Sequence, residues 1–318
     1  MRALCFDGGD VRVTDVPEPQ PCDETVLVRV AVAGICNTDL EILRGYLGFR
    51  GVLGHEFVGT VEQGPEEWRG QRVVGEINFA CRSCALCAQG LQRHCPSRQV
   101  MGIAGADGAF AELVRVPIAN LHAVPAGVDD EQAVFAEPLA AAFEVLEQVH
   151  VEPGRDCTVL GDGKLGLLVA QVLHQAGVQV LAVGKHPEKL AILENRGIST
   201  VQRDQWDDGA ADLVVEATGT AAGFESAVAA TRPRGTLVLK STVAETTQLS
   251  LAPLVINEIT VVGSRCGPFQ PALEALATGS VDVRSLISER VPLSDAADAL
   301  RLAAEPGRLK VLIETAGG

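Results

Sequence analysis

One six-residue string constrains this chain more than any other. It is Gly161-Asp162-Gly163-Lys164-Leu165-Gly166, set between an apolar run ending at Leu160 and an apolar run beginning at Leu165. G-x-G-x-x-G is a weak signal alone and a strong one between a strand and a helix, where it forms the phosphate-binding turn of a dinucleotide fold. Gly161 allows the tight turn, and Gly163 lets the backbone approach a pyrophosphate at the helix N-terminus. Gly166 lets the helix pack closely on the sheet. Lys164 and Leu165 complete the loop and belong to the same cofactor site.

The surrounding pattern supports that reading. A helix is predicted over 130–149, then strand 156–161, helix 165–176, strand 178–183, helix 187–196, strand 213–216, helix 222–230, and strands 236–240 and 259–262. Such alternation implies a parallel sheet covered on both faces. Residues 1–125 read differently. Val26–Val32, Val11–Val13, Phe57–Val61 and Arg72–Val74 are strand candidates, with a short helix over 36–43. Helical patterns near 270–276 and 294–304 and a last strand over 310–314 close the chain.

In NAD-linked dinucleotide folds the second strand commonly ends in an acid that bonds the ribose 2′-hydroxyl. Here it ends Ala182-Val183-Gly184-Lys185-His186. Gly184 is followed by two potential cations and no acid, so NADP(H) is favoured over NAD(H). Thr218 and Gly219 fall at the carboxyl edge of a later strand, where such folds bind ligand, and Arg265 ends the last strand near the expected nicotinamide half.

The chain has 318 residues, enough for about two domains, and a formal net charge of −15. That acidity argues against nucleic-acid binding, which needs a basic face. Met1–Cys5 shows no signal-peptide core. The most apolar stretch, 165–183, is interrupted by Gln171, His174, Gln175 and Gln179, so no membrane span and a cytoplasmic location are expected.

Nine cysteines are present, and Cys81, Cys84, Cys87 and Cys95 form C-x2-C-x2-C-x7-C. Four thiolates so spaced can surround one tetrahedral Zn²⁺ and leave no position for substrate, which makes the expected site structural. An iron–sulfur cluster and a metal-free lobe are the alternatives. Elsewhere Gly34-Ile35-Cys36-Asn37-Thr38-Asp39, Gly54-His55-Glu56-Phe57-Val58-Gly59 and Ala136-Glu137-Pro138-Leu139 offer a sulfur, an imidazole and carboxylates. A catalytic zinc takes about three protein ligands and one open position.

With these motifs in this order along essentially its whole length, the sequence resembles the zinc-containing branch of the medium-chain dehydrogenase/reductase superfamily. It is closer there to the polyol, threonine and glucose dehydrogenases than to the liver-type alcohol dehydrogenases, which carry a cysteine in the region of Glu137-Pro138-Leu139. The resemblance implies an α/β chain: a GroES-like β-rich catalytic domain over 1–127, completed by 268–318, and a Rossmann domain, a doubly wound parallel sheet, over 128–267. It implies two Zn²⁺ per chain and Cys36, His55 and Glu137 as ligands of the catalytic one. Glu56 is then either a fourth, intermittent ligand or a supporting carboxylate. Thr38 matches the family's proton relay, Asp39 the residue that orients the zinc-bound histidine, and Lys310 a basic residue that reaches the pyrophosphate, an exposed lysine being the alternative. The implied reaction is hydride transfer between a small alcohol or polyol, or the matching carbonyl, and NAD(P), in a homodimer or homotetramer. The rival readings are a zinc-free quinone or enoyl reductase and a catalytically silent relative on the same fold. Tyr46, Leu47 and Phe49, between the first two ligand motifs, either line a substrate pocket or pack.

Overall fold

A computed structural model describes residues 1–241 and 250–315. The chain folds as two compact units. One comprises Met1–Glu137, Ala272–Thr278 and the chain from Leu286 onward; the other comprises Pro138–Pro271 and Gly279–Ser285.

The first unit is β-rich. Its main sheet is centred on β1 (Thr25–Gly34), which pairs antiparallel with β2 (Glu56–Gln63), with Leu113–Pro117 and with the last strand, Lys310–Glu314. Val26, Leu27, Val28 and Val30 are buried, so β1 lies in the core on both faces, as its nearly continuous apolar run requires. After Gly34 the chain turns into α1 (Asn37–Leu43). The register sets Gly34 opposite Glu56 on one side and Leu312 on the other. Chain segments far apart in sequence therefore meet at the end of β1. A small sheet of Asn78–Phe79, Gln99–Met101 and Gly105–Ala106 flanks the segment that carries the four clustered cysteines.

The second unit is a six-stranded, all-parallel sheet. Its strands are β3 (Asp156–Leu160), β4 (Gln179–Gly184), β5 (Ser199–Gln202), β6 (Ala211–Glu216), β7 (Thr231–Leu239) and β8 (Thr260–Gly263), in the order β5-β4-β3-β6-β7-β8. The order reverses beside β3, the switch point at which doubly wound sheets bind ligands. Helix α2 (Lys164–Gln175) follows β3, and every residue from Gly166 to Leu173 is buried. Gln171 interrupts that apolar face without penalty, because its amide donates to Asp282 O at 3.1 Å and accepts from Asp282 N at 2.7 Å. Helix α3 (Pro187–Glu194) follows β4.

Several elements differ from expectation, among them the following. The helix predicted over 130–149 is two, Asp130–Ala133 and Ala136–Gln148. Pro138 explains the break: in a continuous helix its ring would clash with the carbonyl of Val134, whereas a restart at Ala136 places it in a first turn, where no N–H is needed. The strands Ser199–Gln202 and Ile287–Pro292 were not anticipated, being short, polar and incompletely buried. Among the described residues no helix is long and apolar enough to cross a membrane.

Candidate metal centre and dinucleotide loop

The first unit gathers Cys36, His55 and Glu56 so that their potential ligand atoms all lie within 4.8 Å of one another. Cys36 precedes α1, while His55 and Glu56 stand at the start of β2; the pairing of β1 with β2 brings them together. Asp39, fully buried in the first turn of α1, holds the arrangement. Its Oδ2 accepts the Cys36 N–H at 2.8 Å, and its Oδ1 lies 3.3 Å from His55 Nδ1. That second approach is out of line for a hydrogen bond, and both atoms lack a partner in the structure. Burial works against a charged imidazole at His55, yet Asp39 and Cys36 beside it raise its pKa well above the ordinary value. The pocket is therefore one that favours positive charge. Thr38 Oγ1 lies 3.7 Å from Cys36 Sγ, and the residue is half-buried.

Glu56 has two distinct oxygens. Oε2 pairs with the ammonium of Lys310, which also donates to Ile35 O at 3.3 Å and sits 5.6 Å from the Phe135 ring centroid. Oε1 is buried and has no partner. Gly34 makes room for the pair, since a Cβ there would lie 2.5 Å from Glu56 Oε2. Lys310 is only 1% exposed. This corrects the alternative of an exposed lysine: its ammonium pairs with Glu56 at the metal cluster. The long-range pairing of Lys310–Glu314 with β1 buries it there. Glu137 lies in the first turn of the Ala136–Gln148 helix, half-buried, and is not grouped with Cys36, His55 and Glu56. An orphaned buried carboxylate oxygen next to a thiol and an imidazole fits a divalent cation that accepts sulfur, nitrogen and oxygen donors.

The second cluster is closed and local. Cys84 Sγ lies 3.5 Å from Cys87 Sγ and 3.9 Å from Cys95 Sγ, and Cys95 Sγ lies 3.5 Å from Cys81 Sγ. Sulfurs at the corners of a tetrahedron about 2.3 Å from zinc are roughly 3.8 Å apart, so the spacing fits one ion. Hydrogen bonds from Ser83, then from Cys95, draw the Cys81 thiol down to about 6, whereas burial and the neighbouring Cys84 push Cys87 up to about 12. Four such groups ionise together only around a cation.

In the second unit the glycine loop follows β3. Gly161 has φ +116° and its Cβ would meet Ala217 O at 2.8 Å; a Cβ on Gly166 would lie 2.0 Å from Gly161 O. Gly163 is the N-cap of α2 and provides no side-chain cap, and a Cβ there would enter open space. A bare helix N-terminus facing open space fits the pyrophosphate of a dinucleotide. Asp162 projects from the loop to the end of β4, where its Oδ2 accepts the N–H groups of Lys185 at 2.6 Å and His186 at 2.7 Å. Thr218 and Gly219 form a tight turn whose N–H groups both reach Glu216 Oε1, at 2.6 and 3.2 Å. Near the end of β7, Lys240 Nζ donates to Ser264 Oγ and to the carbonyl of Arg265, each at 3.0 Å. Sequence reasoning missed the partners of Asp162 and Lys310, giving the first no role. The available signal for Asp162 was Gly184, a small residue ending a strand of bulkier ones.

The class defined by these features is a zinc-binding dehydrogenase: a β-rich unit with two ligand clusters and a dinucleotide sheet. Residues 22–126 match the alcohol dehydrogenase GroES-like domain and residues 165–278 the zinc-binding dehydrogenase domain. The chain is 30% identical to 2-dehydro-3-deoxy-L-galactonate 5-dehydrogenase of Pseudoalteromonas atlantica, over 91% of each chain. Among solved structures it is similar to a zinc-binding dehydrogenase of Sinorhizobium meliloti bound to NADP (TM-score 0.90, 28% identity, 99% of each chain). It is equally similar to the alcohol dehydrogenase rspB of Escherichia coli complexed with NADH (TM-score 0.90, 26% identity, 99% of each chain). The chain belongs to the zinc-containing branch of the medium-chain dehydrogenase/reductase superfamily.

Proposed function

We propose that this chain transfers hydride between a hydroxyl carbon of a small alcohol, polyol or sugar acid and a nicotinamide dinucleotide, at a metal site formed by Cys36 and His55 with a carboxylate. The observation that carries this reading is the buried convergence of Cys36, His55 and Glu56, with Glu56 Oε1 left without a partner. A bound zinc supplies Lewis acidity toward the alcohol oxygen, and the nicotinamide supplies the hydride acceptor.

The remaining work falls to the chain. Cys36 and His55 provide the soft and borderline donors, and Asp39 fixes both by gripping the Cys36 N–H and standing beside the His55 ring. Glu137 is the third ligand by family resemblance. Glu56, tethered by Lys310 through one oxygen, has the other available as an intermittent ligand. The Thr38 hydroxyl, next to Cys36 Sγ, relays the proton that leaves the substrate hydroxyl, accepting it while passing its own proton on through the cofactor ribose toward solvent. Gly161, Gly163, Lys164, Leu165 and Gly166 cradle the pyrophosphate, with Thr218, Gly219 and Arg265 along the rest of the cofactor. Cys81, Cys84, Cys87 and Cys95 hold a second, structural zinc. By charge alone Lys185 and His186 after Gly184 support NADP(H), and the Asp162 carboxylate opposes it.

A panel of sugar acids, polyols, amino alcohols and simple alcohols, tested with both NAD and NADP by absorbance of the reduced nicotinamide, tests the proposal. Reduction with at least one polyhydroxy substrate is expected. Failure of every alcohol and every matching carbonyl, with dinucleotide binding intact, would contradict it and favour the catalytically silent reading.

A further inference from the structure

The end of β4 is where a dinucleotide fold distinguishes the two nicotinamide cofactors, because the adenosine ribose lies there. Read along the chain, that strand end carries no acid. In space it carries one. The Asp162 carboxylate, delivered by the glycine loop, accepts from Lys185 N at 2.6 Å, His186 N at 2.7 Å and His186 Nδ1 at 3.0 Å, all through Oδ2. Gly184 is built around it: a Cβ there would lie 2.6 Å from both Asp162 Cβ and Asp162 Oδ2. Burial pushes the carboxyl group toward neutrality, but the hydrogen bonds from His186 and Lys185 outweigh it and hold the pKa below the ordinary carboxylate value.

Two consequences follow. The backbone donors after β4 that would hold a 2′-phosphate are already engaged by an internal anion, and a phosphate dianion at the same place meets a fixed negative charge. The second oxygen, Oδ1, accepts no hydrogen bond from any described residue, and the side chain keeps 11% of its surface exposed. That leaves one carboxylate oxygen open on the strand end. Lys185 offsets little of the charge, because its exposed ammonium is screened by solvent.

We infer that Asp162 determines cofactor choice: its open carboxylate oxygen accepts a hydroxyl of the adenosine ribose of NAD(H), and its charge excludes the 2′-phosphate of NADP(H). The acid that other dinucleotide folds place on the second strand is supplied here from the first loop, and the preference expected from Lys185 and His186 is reversed. This rests on the nicotinamide-binding reading above. It differs from a structural staple, which would order the β4 end without regard to the 2′ substituent.

The test is binding rather than turnover. Dissociation constants of the full-length, zinc-loaded protein for NADH and NADPH are measured by calorimetry, for the wild type and for Asp162→Asn and Asp162→Ser, with thermal unfolding as a check on folding. The wild type is expected to bind NADH at least about tenfold more tightly than NADPH. Both variants are expected to narrow that ratio by about tenfold or invert it, chiefly by gaining NADPH affinity. Equal or tighter NADPH binding by the wild type overturns the inference without any variant. An unchanged ratio in a folded Asp162→Asn protein overturns it too and leaves Asp162 a staple. If the wild type binds neither dinucleotide, the nicotinamide reading itself fails and takes this inference with it.

Discussion

Cys81, Cys84, Cys87 and Cys95 come from one short segment, and two of them are buried while Cys81 is exposed. Cys36, His55 and Glu56 come from two strands' ends; His55 and Glu56 are buried and Cys36 is half-buried. The first cluster largely satisfies itself: sulfur faces sulfur, with the Ser83 hydroxyl beside Cys81. The second keeps three unpartnered polar atoms, Asp39 Oδ1, His55 Nδ1 and Glu56 Oε1, and an ammonium pinned to one of its carboxylates. A closed tetrathiolate has no coordination position left for substrate, whereas a mixed set with an uncommitted oxygen does. In the proposed reading, the difference is between a metal that orders a loop and a metal that does chemistry.

That contrast can be broken in four places. The largest effect is expected at the mixed cluster. Cys36→Ala or His55→Ala should lower kcat by about a thousandfold or more while leaving the dissociation constant for NADH within about threefold, as steady-state kinetics and calorimetry would read. Next is Lys310→Met, which strands the Glu56 carboxylate in the core without its partner. Denaturant unfolding should show a loss of about 3–5 kcal/mol, and a double variant with Glu56→Gln should recover part of it. At the closed cluster, Cys95→Ser should remove one zinc per chain by elemental analysis and destabilise the first unit by about 3 kcal/mol. The turnover of the molecules that remain folded should be retained. The smallest effect belongs to Asp39→Asn, which keeps the size of the side chain but removes its charge. Zinc affinity at the mixed site, measured by chelator competition, should fall about 10–100-fold. Equal losses of turnover from Cys95→Ser and Cys36→Ala would erase the distinction between the clusters.

What could be read without coordinates follows the same division. The four cysteines and the glycine loop are local in sequence, so spacing and flanking periodicity were enough to recognise both. The sheet of the second unit was legible wherever its strands are apolar on both faces, as in Asp156–Leu160 and Ala211–Glu216. Ser199–Gln202 escaped because it is an edge strand that buries little, and so carries no apolar run. The mixed metal cluster was legible in its ligand types but not in its electrostatics. The pairing of Lys310 with Glu56 spans most of the chain, and only the register of Lys310–Glu314 on β1 brings them together. Asp162 was hidden for the opposite reason. It lies inside the recognised motif, at a position the motif leaves unspecified, and its partners come from the next strand.

The central claim is that hydride transfer depends on metal at Cys36 and His55. The direct measurement is turnover of an active alcohol substrate by protein stripped of zinc with a chelator, with NADH binding followed in the same sample and zinc then restored. The account predicts that turnover vanishes, that NADH binding persists, and that one equivalent of zinc beyond that held by the four cysteines restores the rate. Near-normal turnover in zinc-free protein that still binds NADH would contradict it and leave the zinc-free reductase reading in its place.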